Sequence, residues 1–170
     1  MTETLNVGVA DLKVSDNSDT LASYGLGSCV AVAIYDPRKK MGGLAHVMLP
    51  ESRGKGSVSS PGKFADTAVP LLVERLVELG ARRKSLLCKI VGGAQMFEIP
   101  GSRNKEAGLS CGPSANIGSR NVEAVKEVLE KLKVPVVGEE TGGNHGRTVR
   151  FKTDTGDVQI TAILYGKSVL

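Results

Sequence analysis

Residues 25–50 read "GLGSCVAVAIYDPRKKMGGLAHVMLP". The run "CVAVAIYD" (29–36) is apolar and β-branched, the composition of a buried strand. Pro37-Arg38-Lys39-Lys40 is a turn, and "MGGLAHVML" (41–49) is a second strand, so the stretch predicts a β-hairpin. A turn centred between Arg38 and Lys39 sets His46 opposite Ala31. Cys29, two residues from Ala31, then shares a face with His46 and lies diagonal to it. Diagonal neighbours sit roughly 7–8 Å apart at Cα. A register shifted by two residues puts Cys29 directly opposite His46, and an odd shift puts them on opposite faces. A thiol needs a base to become a nucleophile, and the chain holds only two histidines, His46 and His145. The glycines of "GLGSC" also allow a sharp turn that exposes backbone N–H groups to a reacting carbonyl. The residues alone leave Cys29 open between a core thiol at the head of a strand and a nucleophile on a turn.

Working outward, the 170 residues suffice for one domain, 1–170, with a substantial core. At 41% hydrophobic and 24% charged residues, the chain is an ordinary globular one. The net charge of +4 gathers weakly, at Arg38-Lys39-Lys40 and Arg82-Arg83-Lys84. Those clusters read as a turn and a helix end rather than the basic stripe of a nucleic-acid binder. Aromatic content of 4% offers few stacking platforms for bases. No apolar run approaches membrane-spanning length, and the N-terminus "MTETLNVGVADLK" has no signal-peptide pattern. Cys29, Cys88 and Cys111 are odd in number and form no CxxC pair, which argues against a disulfide framework or a zinc site. The expectation is a cytoplasmic protein with reduced thiols and no metal or cofactor.

Further along, 5–15 reads as a strand and turn, and 16–19 as a loop. The stretch 50–63 is a long polar loop. Apolar residues at 64, 65, 68, 69, 72, 76 and 79 predict a helix over 61–80, capped by Gly80 and kinked by Pro70. A strand over 85–94 enters a glycine turn, and 98–115 is a second long loop. The segment 118–133 reads as an amphipathic helix with Ser119 as its N-cap and an apolar stripe at 122, 125, 129 and 132. Strands over 134–140, 148–153 and 158–165 close the chain. Cys88, mid-strand, reads as structural, and Cys111, in a polar loop, as an incidental surface thiol. His145 reads as a solvated turn residue. Asp66, near the first helical turn, is explained by the helix dipole. "VGGAQMF" and "TGGNHGR" lack the spacing of a phosphate-binding loop.

Six stretches, in order, carry a resemblance: "GLGSCVAVAIYDP", "GGLAHVMLP", "PGKFADTAVPLLVERL", "IVGGAQMF", "NIGSRNVEAV" and "TGGNHGRTVRF". The chain resembles the CheD family of chemoreceptor glutamine deamidases, from about residue 5 to its end. The resemblance implies an α+β fold of two packed mixed β-sheets flanked by helices in α/β/β/α layers, similar to the deamidase domain of cytotoxic necrotizing factor toxins. It implies a cysteine hydrolase that converts receptor glutamines to glutamate, with hydrolysis of receptor methyl esters in some members. The implied partners are the cytoplasmic helical domain of chemotaxis receptors and the CheC phosphatase, which many members stimulate. Cys29 is the implied nucleophile and His46 its histidine. The family's third residue is a threonine six positions before the cysteine, where this chain has Ser23, with Thr20 nearby. The loop 98–115 is longer than is usual in the family. A rival expectation is a regulatory binding module with weak catalysis.

Overall fold

The computed structural model describes residues 2–54, 59–96, 116–162 and 165–170. The loop 98–115, with Cys111, lies outside the described residues.

The hairpin forms at the predicted register. Strand β4 (Val30–Asp36) pairs with β5 (Met41–Val47), Ala31 facing His46. Both strands are buried along their whole length, because each of their faces meets a separate core. Val30, Val32 and Ile34 face one core, with Ala45 and Val47. Ala31, Ala33 and Tyr35 face the other, with Leu44. The period-two alternation of a strand thus serves two interfaces at once.

Around this hairpin the remaining elements are β1 (Thr4–Asn6), β2 (Leu12–Ser15), β3 (Thr20–Leu26), α1 (Ala65–Leu79), β6 (Leu87–Gly92), α2 (Ile117–Lys131), β7 (Val136–Thr141), β8 (Arg147–Lys152), β9 (Val158–Ala162) and β10 (Gly166–Val169). One sheet has the order β2-β5-β4-β6-β7 and the other β1-β3-β8-β9-β10. Each is mixed: β6 runs parallel to β7 and β1 parallel to β3, and the other pairs are antiparallel.

The α+β class with two packed mixed sheets is as expected. The layering differs in one respect. Both described helices pack on the outer face of the β4–β5 sheet, so the described layers run helices, sheet, sheet. On the other sheet's outer face, Arg150 and Gln159 alternate with the buried Val149, Phe151, Val158 and Ile160. A polar face of that kind needs no covering helix.

Helix α1 buries Ala65, Ala68, Val69, Leu72, Val73 and Leu76, and Gly80 closes it in the left-handed conformation at φ 116°. It runs through Pro70 as one element. The proline lies close to the N-terminus, so only one early carbonyl loses its partner. Asp66 does more than favour the dipole: its carboxylate accepts from the Ser52 N–H at 3.0 Å and the Ser52 hydroxyl at 2.9 Å, fastening the segment after β5. Helix α2 begins earlier than expected. Its N-cap is Asn116, and Ser119 lies inside the first turn.

Candidate active site

The chain changes sheets between β3 and β4, at Gly27-Ser28-Cys29. This turn places Cys29 at the mouth of the sandwich, partly buried against the core between the sheets. Two bonds from the next segment hold it: Gly93 N–H to the Cys29 carbonyl at 2.8 Å, and Ala94 N–H to the Gly27 carbonyl at 2.9 Å. Glycine is required at 92, where φ is 117° and a Cβ would come within 2.3 Å of the Cys29 carbonyl oxygen. "VGGA" therefore serves close backbone approach to the thiol loop rather than phosphate binding. Among the described residues, no backbone carbonyl accepts from the N–H groups of Gly27, Ser28 or Cys29. These amides remain the candidate oxyanion donors.

His46 is 1% exposed. Its partner Ala31 belongs to the inter-sheet core, so the imidazole faces that core from the same side as the Cys29 position. Among the described residues, neither ring nitrogen has a well-formed hydrogen bond. Burial lowers the pKa of His46, and the nearby Val7 carbonyl, too poorly aligned for a full bond, opposes the shift. Burial raises the pKa of Cys29, opposed by its own N–H. Burial thus favours the uncharged form of each group, thiol and imidazole.

Ser23 reaches the site from the opposite sheet. Its partner Val149 and its neighbour Leu21 both lie in the inter-sheet core, which fixes Ser23 as inward-facing and fully buried. Its hydroxyl donates to the Val7 carbonyl at 2.9 Å, the same carbonyl that lies near His46. Ser23 thus buttresses the histidine's neighbour. A register shift between Ser23 and Leu26, with Gly25 at φ 66°, marks a bulge that bends β3 just before the thiol turn. Thr20, three residues from Ser23, falls on the other face of β3.

The other candidates lie elsewhere. Cys88 is buried among the helix-facing core residues, and burial pushes its pKa up. His145 stacks on Tyr165 with ring centroids 4.1 Å apart and its Nε2 is buried, so it is not a solvated turn residue. Among the described residues, no group of three His, Cys, Asp or Glu side chains could hold a metal ion. No described helix is long and apolar enough to cross a membrane. Sequence reasoning missed Asn121, a fully buried polar residue on α2 whose amide nitrogen donates to the Ser28 carbonyl at 2.9 Å and the Met48 carbonyl at 3.0 Å. Its signal was position: residues 118, 121, 125 and 129 form one helical face, and 121 is its polar member.

Residues 48–162 match the model of a family described as CheD chemotactic sensory transduction. A Clostridium botulinum protein named "Probable chemoreceptor glutamine deamidase CheD" is 46% identical over 162 residues, 95% of this chain and 94% of that one. A protein of the same name from Lachnoclostridium phytofermentans is 43% identical over 96% of each chain. The crystal structure of the Bacillus licheniformis hypothetical protein YfiH is matched with a TM-score of 0.47 and 15% identity, over 79% of this chain and 50% of that one.

Proposed function

The chain belongs to the CheD family, and from that premise we propose that it deamidates glutamine side chains of chemotaxis receptors, with Cys29 as nucleophile and His46 as base. The observation that carries this reading is the β4–β5 register, which brings a histidine onto the same face as a thiol at the mouth of the sandwich.

His46, uncharged at rest, takes the Cys29 proton as sulfur attacks the glutamine Cδ. The carbonyl oxygen becomes an oxyanion, met by N–H groups of the Gly27–Cys29 turn. One good donor of this kind is worth roughly 3–4 kcal/mol. His46, now the acid, returns the proton to the nitrogen as the C–N bond breaks and ammonia leaves. The resulting thioester is attacked by water, His46 again accepting a proton, and the C–S bond breaks to give glutamate and free thiol. A glutamyl methyl ester would follow the same route with methanol as leaving group. No step requires a cofactor. The setting is the cytoplasm, where receptor helical domains present their glutamines. The polar loop 50–63 follows β5 and is the segment assigned to receptor contact.

The test is mass spectrometry of receptor co-expressed with the wild type or with Cys29→Ala. Each converted glutamine should gain about 1 Da, the amide-to-acid difference, only when the thiol is present. Equal deamidation by Cys29→Ala removes Cys29 as nucleophile. Absence of deamidation by either protein, with CheC activity raised by both, favours the regulatory binding module.

A further inference from the structure

We propose that Asn121 is a positioning residue that sets the working geometry of Cys29 and His46; this rests on the reading of those two residues given above. The β4–β5 ladder ends at the pair Val30–Val47. Beyond it lie Cys29, just before one strand, and Met48, just after the other, two residues past His46. At this end, Asn121 supplies a rung from outside the sheet. Its Nδ2 donates to the Ser28 carbonyl at 2.9 Å and to the Met48 carbonyl at 3.0 Å, so one planar amide ties both strand ends to α2. Two carbonyls on one nitrogen fix that atom as the donor.

Two consequences follow. First, the Ser28 carbonyl belongs to the peptide whose N–H is that of Cys29. Fixing the carbonyl fixes the plane of that peptide and the direction of a candidate oxyanion donor, which is also the N–H that favours the ionised thiol. Second, the bridge holds the spacing of the strand ends, and hence the diagonal from Cys29 to His46.

The approach of α2 that makes the bridge possible is built from glycines. A Cβ on Gly118 would lie 2.5 Å from the Gly93 carbonyl oxygen, and a Cβ on Gly93 would lie 2.3 Å from a Val122 methyl. Only bare backbone lets the helix come close enough for an asparagine to reach. Asn121 is 0% exposed and its Oδ1 has no partner among the described residues. A buried amide with an unused acceptor is a costly choice for a core position, and packing alone would be served better by an apolar residue.

The experiment uses full-length enzyme and receptor glutamine deamidation. Asn121→Asp replaces the donor with an acceptor, and Asn121→Ala removes it. Both should lower kcat by roughly 100-fold, as misplacement of catalytic groups does, with KM little changed. In the same variants, alkylation of Cys29 by iodoacetamide should require a higher pH than in the wild type, because the Cys29 N–H is no longer held. Circular dichroism and urea unfolding establish that the variants fold. In the wild type, the Asn121 side-chain amide protons should be resolved and slow to exchange.

Variants that fold, with unchanged kcat and alkylation profile, overturn the proposal. So do rapidly exchanging amide protons, or failure of both variants to fold, which makes the residue structural. Loss of the underlying reading looks different: Cys29→Ala would then deamidate as well as the wild type, whatever Asn121 does.

Discussion

Burial favours the uncharged form of both groups at the site, raising the pKa of the Cys29 thiol and lowering that of the His46 imidazole. An enzyme resting as a thiolate–imidazolium pair would show the reverse pattern. Alkylation of Cys29 in the free enzyme should therefore climb steadily with pH and stay slow near neutrality; a rapid plateau across roughly pH 5–8 would show a preformed ion pair instead. On the proposed mechanism, deamidation needs the neutral imidazole, so the acid limb of kcat/KM should fall below the ordinary histidine range, as a lowered pKa dictates. Ser23 bears on the same histidine at one remove, through the Val7 carbonyl. Ser23→Ala leaves that carbonyl short of one donor inside the core, at about 1 kcal/mol of stability, and lets it drift from the imidazole. The expected cost in kcat is about tenfold, the effect of a modest misplacement, and Ser23→Thr, which keeps the hydroxyl, should restore most of it. A loss as complete as that of His46→Ala would mean that the hydroxyl acts on the imidazole directly.

At the scale of elements, one carboxylate secures the hairpin that carries the site. Asp36, fully buried at the end of β4, accepts from the Arg38 N–H at 2.9 Å and the Lys39 N–H at 3.2 Å in the turn, and from the Arg82 N–H beyond α1 at 2.7 Å. Burial works to raise its pKa, but these three donors, with the charge of Arg82, outweigh it and hold the carboxyl below its ordinary value of 3.8. A folded-state pKa below the unfolded one contributes stability that is present above the unfolded value and lost as pH falls through the folded one. Asp36→Asn should cost about 2 kcal/mol at neutral pH, with the gap from wild type narrowing as pH drops below the ordinary carboxylate range. Urea unfolding at the two pH values checks this, and a gap independent of pH would refute the linkage. The hairpin was legible because a short turn and two apolar runs leave few registers, and one of them pairs Ala31 with His46. Strand β3 was not read as a strand: "TLASYGL" mixes small residues, a tyrosine and a glycine, and the bulge at Tyr24-Gly25 breaks the alternation on which such a reading depends. Strand β10, "GKSV", is short and fully exposed, so it carries no apolar pattern to find.

For the whole molecule, the two-core arrangement decides which distant changes reach the site. The apolar patterns pointed to both helices and most strands, but they carry no record of which strands share a sheet. Adjacent strands β3 and β4 lie in different sheets, and the pairing of β3 with β8 joins residues more than a hundred positions apart. On the proposed assignment, Cys29 and His46 come from one sheet and Ser23 from the other, so the site faces the inter-sheet core, and α2 reaches it from the helix side through Asn121. Leu21 and Leu72 are both fully buried, the first in the inter-sheet core two residues from Ser23, the second on α1 in the helix-facing core. Leucine-to-alanine cavities of this kind cost about 2–5 kcal/mol each. The two variants should therefore lose comparable stability in urea, yet differ in turnover under conditions where both stay folded. Leu72→Ala weakens the helix layer and leaves the thiol, the imidazole and Ser23 in register, so its kcat should remain near that of the wild type. Leu21→Ala opens space beside Ser23 and lets the sheets settle against one another, moving the Val7 carbonyl relative to His46, so its kcat should fall severalfold at saturating receptor. Equal turnover by the two variants would show that the inter-sheet core does not govern the site.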